Sequence, residues 1–191
     1  MTPRPHARVG VVARFRPPHL GHASILAALA RSAATVVVGI GSANRYDVDN
    51  PFTGEETSEL LRPLLTEGRF ELHLLPDLFD GPRWAEMVHE RFGELDLFVT
   101  ANPYVRSLVE GFWRVRHPLE LLEPAERVAV EGKGVRRAMA RGEAWERLVP
   151  PEVARELRRL GLARRFREEF GLETLAREAP RTAAGTADDG L

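Results

Sequence analysis

The chain contains no cysteine among its 191 residues. This absence excludes disulfide bonds and thiolate metal ligands, and it is typical of proteins from a reducing compartment. No apolar run approaches the roughly 20 residues needed to cross a bilayer. The first eight residues, Met1–Arg8, also lack the apolar core of a signal peptide. The sequence therefore predicts a cytoplasmic protein with no membrane association.

The chain also has no excess of positive charge. The chain has 27 Lys and Arg against 28 Asp and Glu, which gives a formal net charge of -1. Such a balance gives no support for a nucleic-acid partner or an anionic membrane surface. Hydrophobic residues make up 43% of the chain, as in an ordinary globular protein.

What the chain does have is an alternation of apolar runs and helical patterns. Strands are predicted at 9–13, 35–40, 70–75 and 96–100, with a short one within 114–122. Helices are predicted at 22–33, 53–65, 83–92, 104–111, 134–142 and 151–170. This order predicts an α/β fold, a Rossmann-like parallel sheet with helices on both faces and a helical C-terminal segment. We expect one domain over 1–172, helical from about residue 134, and a flexible tail over 173–191.

The start of the second helix carries its own local signal. Thr53 is predicted as the N-cap, and Glu56 three residues later completes a capping box. Pro63 is expected to kink this helix or end it early.

In parallel α/β sheets, ligands bind beyond the carboxyl ends of the strands. Four loop segments follow predicted strands and should line one crevice, namely 14–22, 41–54, 76–84 and 100–104.

Two histidines stand in the first of these segments, in Arg14-Phe-Arg-Pro-Pro-His-Leu-Gly-His22. The spacing alone fits three interpretations: ordinary turn histidines, a zinc pair that needs a third ligand, or donors to a phosphate at a helix N-terminus. Gly21 favours the phosphate interpretation because a backbone without Cβ approaches a ligand closely. Arg14 and Arg16 add positive charge on the same loop.

The segment resembles the HxGH motif of the nucleotidyltransferase superfamily, and more narrowly that of nicotinamide mononucleotide adenylyltransferases of the archaeal type. The similarity covers roughly residues 8–172. Further segments match in order: Gly39-Ile-Gly-Ser-Ala43, Asn50-Pro-Phe-Thr-Gly-Glu-Glu56, Asn102-Pro103, Gly134-Val-Arg-Arg-Ala-Met139, Gly142-Glu-Ala-Trp145 and Leu148-Val-Pro150.

This resemblance implies that AMP passes from ATP to nicotinamide mononucleotide, forming NAD and pyrophosphate. It implies Mg²⁺ carried with ATP, without a metal site built by the protein, and self-association into a homo-oligomer. His19, His22 and Arg136 would act at the reacting phosphates. The other implied nucleotide-binding residues are Arg14, Phe15, Arg16, Gly21, Gly39, Gly41, Asn102, Lys133, Val135 and Arg137.

Two residues match the acceptor pocket of the family. Trp84 corresponds to a tryptophan that stacks on the nicotinamide ring, although a core position on the helix 83–92 also explains it. Asp77 corresponds to an acidic position nearby, and a solvated loop acid is an equal alternative. For Arg136, the alternative interpretation is an ordinary surface arginine on a helix.

The chain departs from the family at three places. Glu131-Gly-Lys133 replaces Ser-Gly-Thr, Arg16 replaces Gln, and Thr57 replaces Arg. These changes keep two alternatives open: a related HxGH transferase with a different nucleotide or phosphorylated acceptor, such as a cytidylyltransferase, or a catalytically weak nucleotide-binding regulator.

Overall fold

Five parallel strands form one sheet in the computed structural model, which describes residues 5–178. The strands are β1 (His6–Ala13), β2 (Ala33–Ile40), β3 (Arg69–Leu74), β4 (Leu97–Val99) and β5 (Val115–Arg116). Their spatial order is β3-β2-β1-β4-β5. Val9 of β1 lies beside Val36 on one side and Leu97 on the other. The strand order therefore reverses between β1 and β4, which is where α/β folds place ligands.

Seven α-helices accompany the sheet within residues 5–178: α1 (Leu20–Ser32), α2 (Gly54–Leu61), α3 (Gly81–Phe92), α4 (Pro103–Val109), α5 (Gly132–Arg141), α6 (Pro151–Arg159) and α7 (Leu162–Ala176). Short 3₁₀ turns lie at Arg62–Leu64, Pro118–Leu121, Pro124–Glu126 and Trp145–Leu148. The predicted parallel sheet with helices on both faces is confirmed.

Both faces of the sheet are apolar because helices cover both. On one face, Val9 and Val36 pack with Leu26 and Leu29 of α1. On the other face, Val37 packs with Phe92 of α3. The strand period of two residues thus sends neighbouring side chains of β2 into two separate cores.

Two glycines let α3 approach the sheet closely. A Cβ added at Gly10 would lie 2.5 Å from Leu95 Cδ1 and 3.1 Å from Phe92 Cδ2, and one at Gly39 would lie 2.4 Å from Leu75 Cδ1 and 2.9 Å from Phe92 Cζ. Gly39 therefore serves the packing of Phe92 in the structure. A side chain at this position would point into the core, and the assignment of Gly39 to the nucleotide site remains a prediction.

The start of α2 has the predicted capping box. Thr53 Oγ1 accepts from the Glu56 backbone N–H at 3.2 Å, and Glu56 Oε2 accepts from the Thr53 N–H at 2.9 Å. Pro63 lies in the 3₁₀ turn that follows, so the helix ends at Leu61. Thr57 is fully buried and its Oγ1 donates to the Thr53 carbonyl at 2.8 Å. A fully buried position does not suit the charged side chain of the family pattern, which would need a partner there.

The last three helices form a third core of their own. Val135, Val153 and Phe166 of α5, α6 and α7 pack with Phe52 and Leu60 from the α2 region. The predicted helical C-terminal segment is thus present from residue 132, and α7 continues to residue 176, into the segment expected to be a flexible tail. Residues 179–191 of that tail lie outside the described part. Within residues 5–178, none of the helices has the length and hydropathy to cross a bilayer.

Candidate active site

The chain turns sharply where β1 ends. Phe15 has a φ of 52°, a left-handed conformation that side-chain-bearing residues rarely adopt. Its ring is buried and lies 4.6 Å from the His22 ring, centroid to centroid. Strained backbone of this kind persists where the surroundings fix it, and it clusters at functional sites. The buried Phe15 therefore places the histidine segment across the end of the sheet.

The two histidines form a reciprocal pair of capping hydrogen bonds at the N-terminus of α1. His19 is the N-cap, and its Nδ1 accepts from the His22 backbone N–H at 3.4 Å. In return, His22 Nδ1 accepts from the His19 backbone N–H at 3.3 Å. The rings stack with centroids 3.7 Å apart. Imidazoles here replace the Ser and Glu side chains of the usual capping box.

This arrangement fixes the charge and tautomer of the rings. Burial lowers the pKa of His19 to about 4. Burial and the neighbouring His19 ring lower the pKa of His22 well below its usual value. Both rings are therefore neutral at pH 7. Because each Nδ1 accepts a hydrogen bond, the remaining proton of each ring resides on Nε2, which becomes a donor for a ligand.

A pocket of about 680 Å³ opens at the carboxyl ends of β1 and β4. Residues 11–15, 41–42, 77–81 and 99–102 line it, with His22 and other residues of α1. All four predicted loop segments thus contribute to one crevice. His22 faces the pocket directly, whereas His19 is only 8% exposed and stacks behind it.

Several predicted nucleotide-binding residues lie on this crevice. Arg14, Gly41 and Asn102 line it. Asn102 also caps α4, with its Oδ1 accepting from the Tyr104 N–H at 2.9 Å. Gly21 is buried under the first histidine, where a Cβ would lie 3.2 Å from the His19 ring.

The far end of the pocket holds both predicted acceptor residues. Trp84 is partly buried on α3 and lines the pocket. Asp77 also lines it, and its Oδ1 accepts from Ser42 Oγ at 3.1 Å. Phe79 and Tyr104 lie on the same rim and are exposed. An aromatic, acidic end of this kind suits a flat cationic ring.

Arg136 of α5 contacts the segment that precedes the histidines. Its Nη1 donates to the Arg16 carbonyl at 2.9 Å, and its Nη2 lies 3.5 Å from Asp49 Oδ1. Burial lowers the pKa of Arg136, but the guanidinium stays charged at neutral pH. The positively charged Arg136 side chain of α5 thus lies against the segment that carries the two histidines.

Three further residues predicted at the nucleotide site have structural contacts of their own. Arg16 is only 2% exposed, and its Nη2 donates to the carbonyls of Ser42 at 2.8 Å and Gly41 at 3.4 Å, so it holds the loop after β2. Val135 is fully buried in the helical core. Arg137 pairs with Glu178 after α7. Positions 135 to 137 differ because successive residues of a helix point about 100° apart.

Lys133 and Glu131 are both exposed at the start of α5. The Glu131 side chain makes no capping hydrogen bond. Neither residue is among those lining the pocket, and the nucleotide contact of Lys133 remains a prediction.

Sequence reasoning missed several residues of the crevice. Ser42 and Asn44 tie the loop after β2 to the loop after β3, since Asn44 accepts from the Asp77 N–H at 2.7 Å. Phe79 and Tyr104 form the exposed aromatic rim. The serine and asparagine in the Gly-Ser-Ala-Asn turn after β2 were the available signal; the aromatic residues gave none.

The sheet order, the turn after β1 and the imidazole pair at the N-terminus of α1 together define a nucleotidyltransferase fold of the HxGH class. The fold matches that of a solved structure, a bifunctional NMN adenylyltransferase/ADP ribose pyrophosphatase from Francisella tularensis complexed with AMP and a manganese ion. The TM-score is 0.68 at 15% identity, over 92% of this chain and 57% of that one. The chain spans little more than half of that bifunctional protein, and the likeness concerns the fold alone.

Curated relatives narrow the class. The chain is 36% identical over 156 residues to a nicotinamide-nucleotide adenylyltransferase of Thermococcus kodakarensis, covering 78% of this chain and 81% of that protein. It is 33% identical over 153 residues to one of Methanoculleus marisnigri, covering 78% and 89%. No family model matches the chain. The chain belongs to the nicotinamide-nucleotide adenylyltransferase family and is an enzyme.

Proposed function

We propose that this chain transfers the AMP group of ATP to nicotinamide mononucleotide, forming NAD and releasing pyrophosphate. The observation that carries the proposal is the position of His22. Its ring faces the crevice beside Arg14, at the N-terminus of α1. Unpaired N–H groups and the positive end of the helix dipole there favour a phosphate.

The reaction needs no covalent protein intermediate. An oxygen of the acceptor 5′-phosphate attacks the α-phosphorus of ATP. The bond from that phosphorus to its bridging oxygen breaks, and pyrophosphate leaves with the electron pair. The protein then contributes positioning and charge stabilisation.

His22 would donate its Nε2 proton in a hydrogen bond to an α-phosphate oxygen, where negative charge accumulates. His19 would hold that ring in place through the reciprocal cap and the stacking contact. Arg14 and Arg136 would bring two further cations to the phosphates. A donor fixed before the reaction costs no reorganisation as charge develops.

The acceptor would occupy the aromatic end of the pocket. Trp84 offers a flat face to the pyridinium ring, and the Asp77 carboxylate would favour its positive charge. The distance from His22 to this end is spanned by one continuous pocket, as a joined dinucleotide product requires.

Mg²⁺ would travel with the triphosphate. Within residues 5–178, no group of three or more His, Asp or Glu side chains is arranged to cage a metal ion. Asp47, which lines a polar pocket together with Arg14, suits an ion held mainly by phosphate oxygens and water. The ion would neutralise charge on the transferring phosphates. We also propose a cytoplasmic location and a homo-oligomer.

One observation favours a second candidate, a transferase of the same class with another nucleotide. Arg16, which stands where the family pattern has glutamine, holds the loop after β2 through the Ser42 carbonyl. That loop borders the crevice, so a different base or acceptor would be selected there.

A screen of pyrophosphate release tests both candidates. ATP and CTP would each be offered with nicotinamide mononucleotide, nicotinic acid mononucleotide and glycerol 3-phosphate, in the presence of Mg²⁺. Release with ATP and a pyridine mononucleotide supports the proposal. Release only with CTP supports the alternative, and no release in any pair points to a nucleotide-binding regulator.

A further inference from the structure

The end of the last helix brings a second arginine close to Arg136. Arg177, directly after α7, places Nη1 2.9 Å from Asp49 Oδ2. The other oxygen of the same carboxylate lies 3.5 Å from Arg136 Nη2. Asp49 therefore bridges two guanidinium groups, one of them the arginine assigned above to the phosphates.

Asp49 and Arg177 border a second, polar pocket of about 290 Å³. Arg14, Arg45 and Arg177 line it, together with Asp47 and Asp49. It shares Arg14, Ser42 and Asp77 with the main pocket, so the two adjoin. A nucleotide with its α-phosphate near His22 would have this pocket in reach of its outer phosphates.

The Arg177–Asp49 pair gives little stability to the fold. The two side chains are 52% and 53% exposed, and exposed ion pairs contribute little after screening. Arg177 is also held by Glu173 at 2.7 Å, one turn earlier on α7. The guanidinium is thus kept near the pocket by two weak contacts that a stronger anion outcompetes.

Both carboxylate oxygens of the nearby Asp47 already have hydrogen-bond partners. Its Oδ1 accepts from the backbone N–H groups of Asp49 and Asn50 and from Asn50 Nδ2, and its Oδ2 pairs with Arg45. Asp49 has no such backbone support among the contacts of the described residues. It is therefore the carboxylate that can leave its partners when an anion arrives.

We propose that Arg177 binds the outer phosphates of the nucleotide, and that Asp49 is the counter-ion which those phosphates displace. The inference rests on the proposed function and adds a residue from the last helix to it. Guanidinium forms paired hydrogen bonds to phosphate, and a pyrophosphate group carries more charge than one carboxylate. Arg136 and Arg177 would then exchange a shared carboxylate for phosphate oxygens.

Calorimetric titrations test this without relying on turnover. AMP, ATP and inorganic pyrophosphate would each be titrated with Mg²⁺ into the full chain. Arg177→Met is expected to weaken ATP and pyrophosphate about tenfold, because one charge-assisted contact is lost. AMP should bind unchanged, since it lacks the outer phosphates. Arg177→Lys should recover part of the loss.

Two more variants complete the set. Asp49→Asn is expected to tighten pyrophosphate about threefold or more, since the competing charge is removed. Arg164→Met is the matched control, because Arg164 is an exposed arginine of the same helix that lies 3.8 Å from Glu168. It should change none of the three affinities.

The results separate this inference from the proposed function. Arg177→Met with unchanged ATP affinity, or with equal losses for AMP and ATP, overturns the role of Arg177. Asp49→Asn with unchanged or weaker pyrophosphate binding overturns the counter-ion role. A wild-type chain that binds neither AMP nor ATP overturns the proposed function, and this inference with it.

Discussion

His19 and His22 each accept the backbone N–H of the other through Nδ1, at 3.4 and 3.3 Å, while their rings stack 3.7 Å apart. This pair of side chains thus caps the N-terminus of α1 and gives two backbone N–H groups their hydrogen-bond acceptors. It also fixes the proton of each ring on Nε2. The same contacts that fold the turn prepare the donor that faces the crevice.

Replacing His22 with Ala is expected to lower turnover about 100- to 1000-fold, the usual cost of one lost donor to developing charge. Stability should fall by only about 1 kcal/mol, since half of the cap is lost. Steady-state kinetics and urea denaturation measure the two effects. His22→Asn, which keeps an acceptor for the His19 N–H, is the control for the cap. Near-normal turnover in the Ala variant would remove the ring from the mechanism.

Acid should destabilise the protein through His19. Its pKa is lowered from 6.5 to about 4 in the folded state, so the unfolded chain binds more protons between these values. Stability is then greatest above pH 6.5 and falls as the pH drops towards 4. The expected loss from this group is about 2 kcal/mol between pH 7 and pH 5.

Urea denaturation of the wild type and of His19→Asn at both pH values isolates this contribution. Asparagine retains a cap acceptor but does not titrate in this range. The wild type should lose more stability than the variant on acidification. Equal losses in the two proteins would show that His19 does not carry the effect.

Trp84→Ala is expected to raise the KM for nicotinamide mononucleotide about tenfold and to leave the KM for ATP within about twofold. Loss of stacking on a cationic ring accounts for the change. Trp84→Phe, which keeps an aromatic face, should show a smaller effect. Equal increases for both substrates would mean that Trp84 only supports α3.

Arg16→Met is expected to cost about 1–3 kcal/mol of stability, because buried carbonyls of Gly41 and Ser42 lose their donor. The acceptor KM should rise more than the ATP KM, since Ser42 positions Asp77. Thermal unfolding and kinetics at saturating second substrate measure the two effects. Arg16→Lys should restore part of the acceptor KM, whereas a purely structural role would leave the two KM values in their wild-type ratio.

Features encoded in short stretches of sequence were predictable. The strands, the Thr53–Glu56 cap and the crevice segments follow from periodicity, capping chemistry and the rule for parallel sheets. The direction of a side chain at a helix start was not, as Val135 and Arg137 demonstrate, because it depends on which helix face packs inward. Arg16 turned away from the crevice because three carbonyls of a distant loop were available to it.

Contacts between remote residues left no trace in the sequence pattern. Arg177 and Asp49 lie 128 positions apart, and both sit among many other charges. An exposed arginine after a polar helix has no local feature that separates it from its neighbours. Only the path of α7 across the molecule brings it beside Asp49.

The two glycines beneath Phe92 carry a consequence for substrate choice. Because Gly10 and Gly39 lack a Cβ, α3 packs closely against the sheet. Trp84 lies on this helix, and Asp80 is its N-cap. An alanine at either position would push α3 away from the sheet and move Trp84, without changing any residue that lines the pocket. The shape of the pocket around Trp84 thus depends on two residues that do not line it.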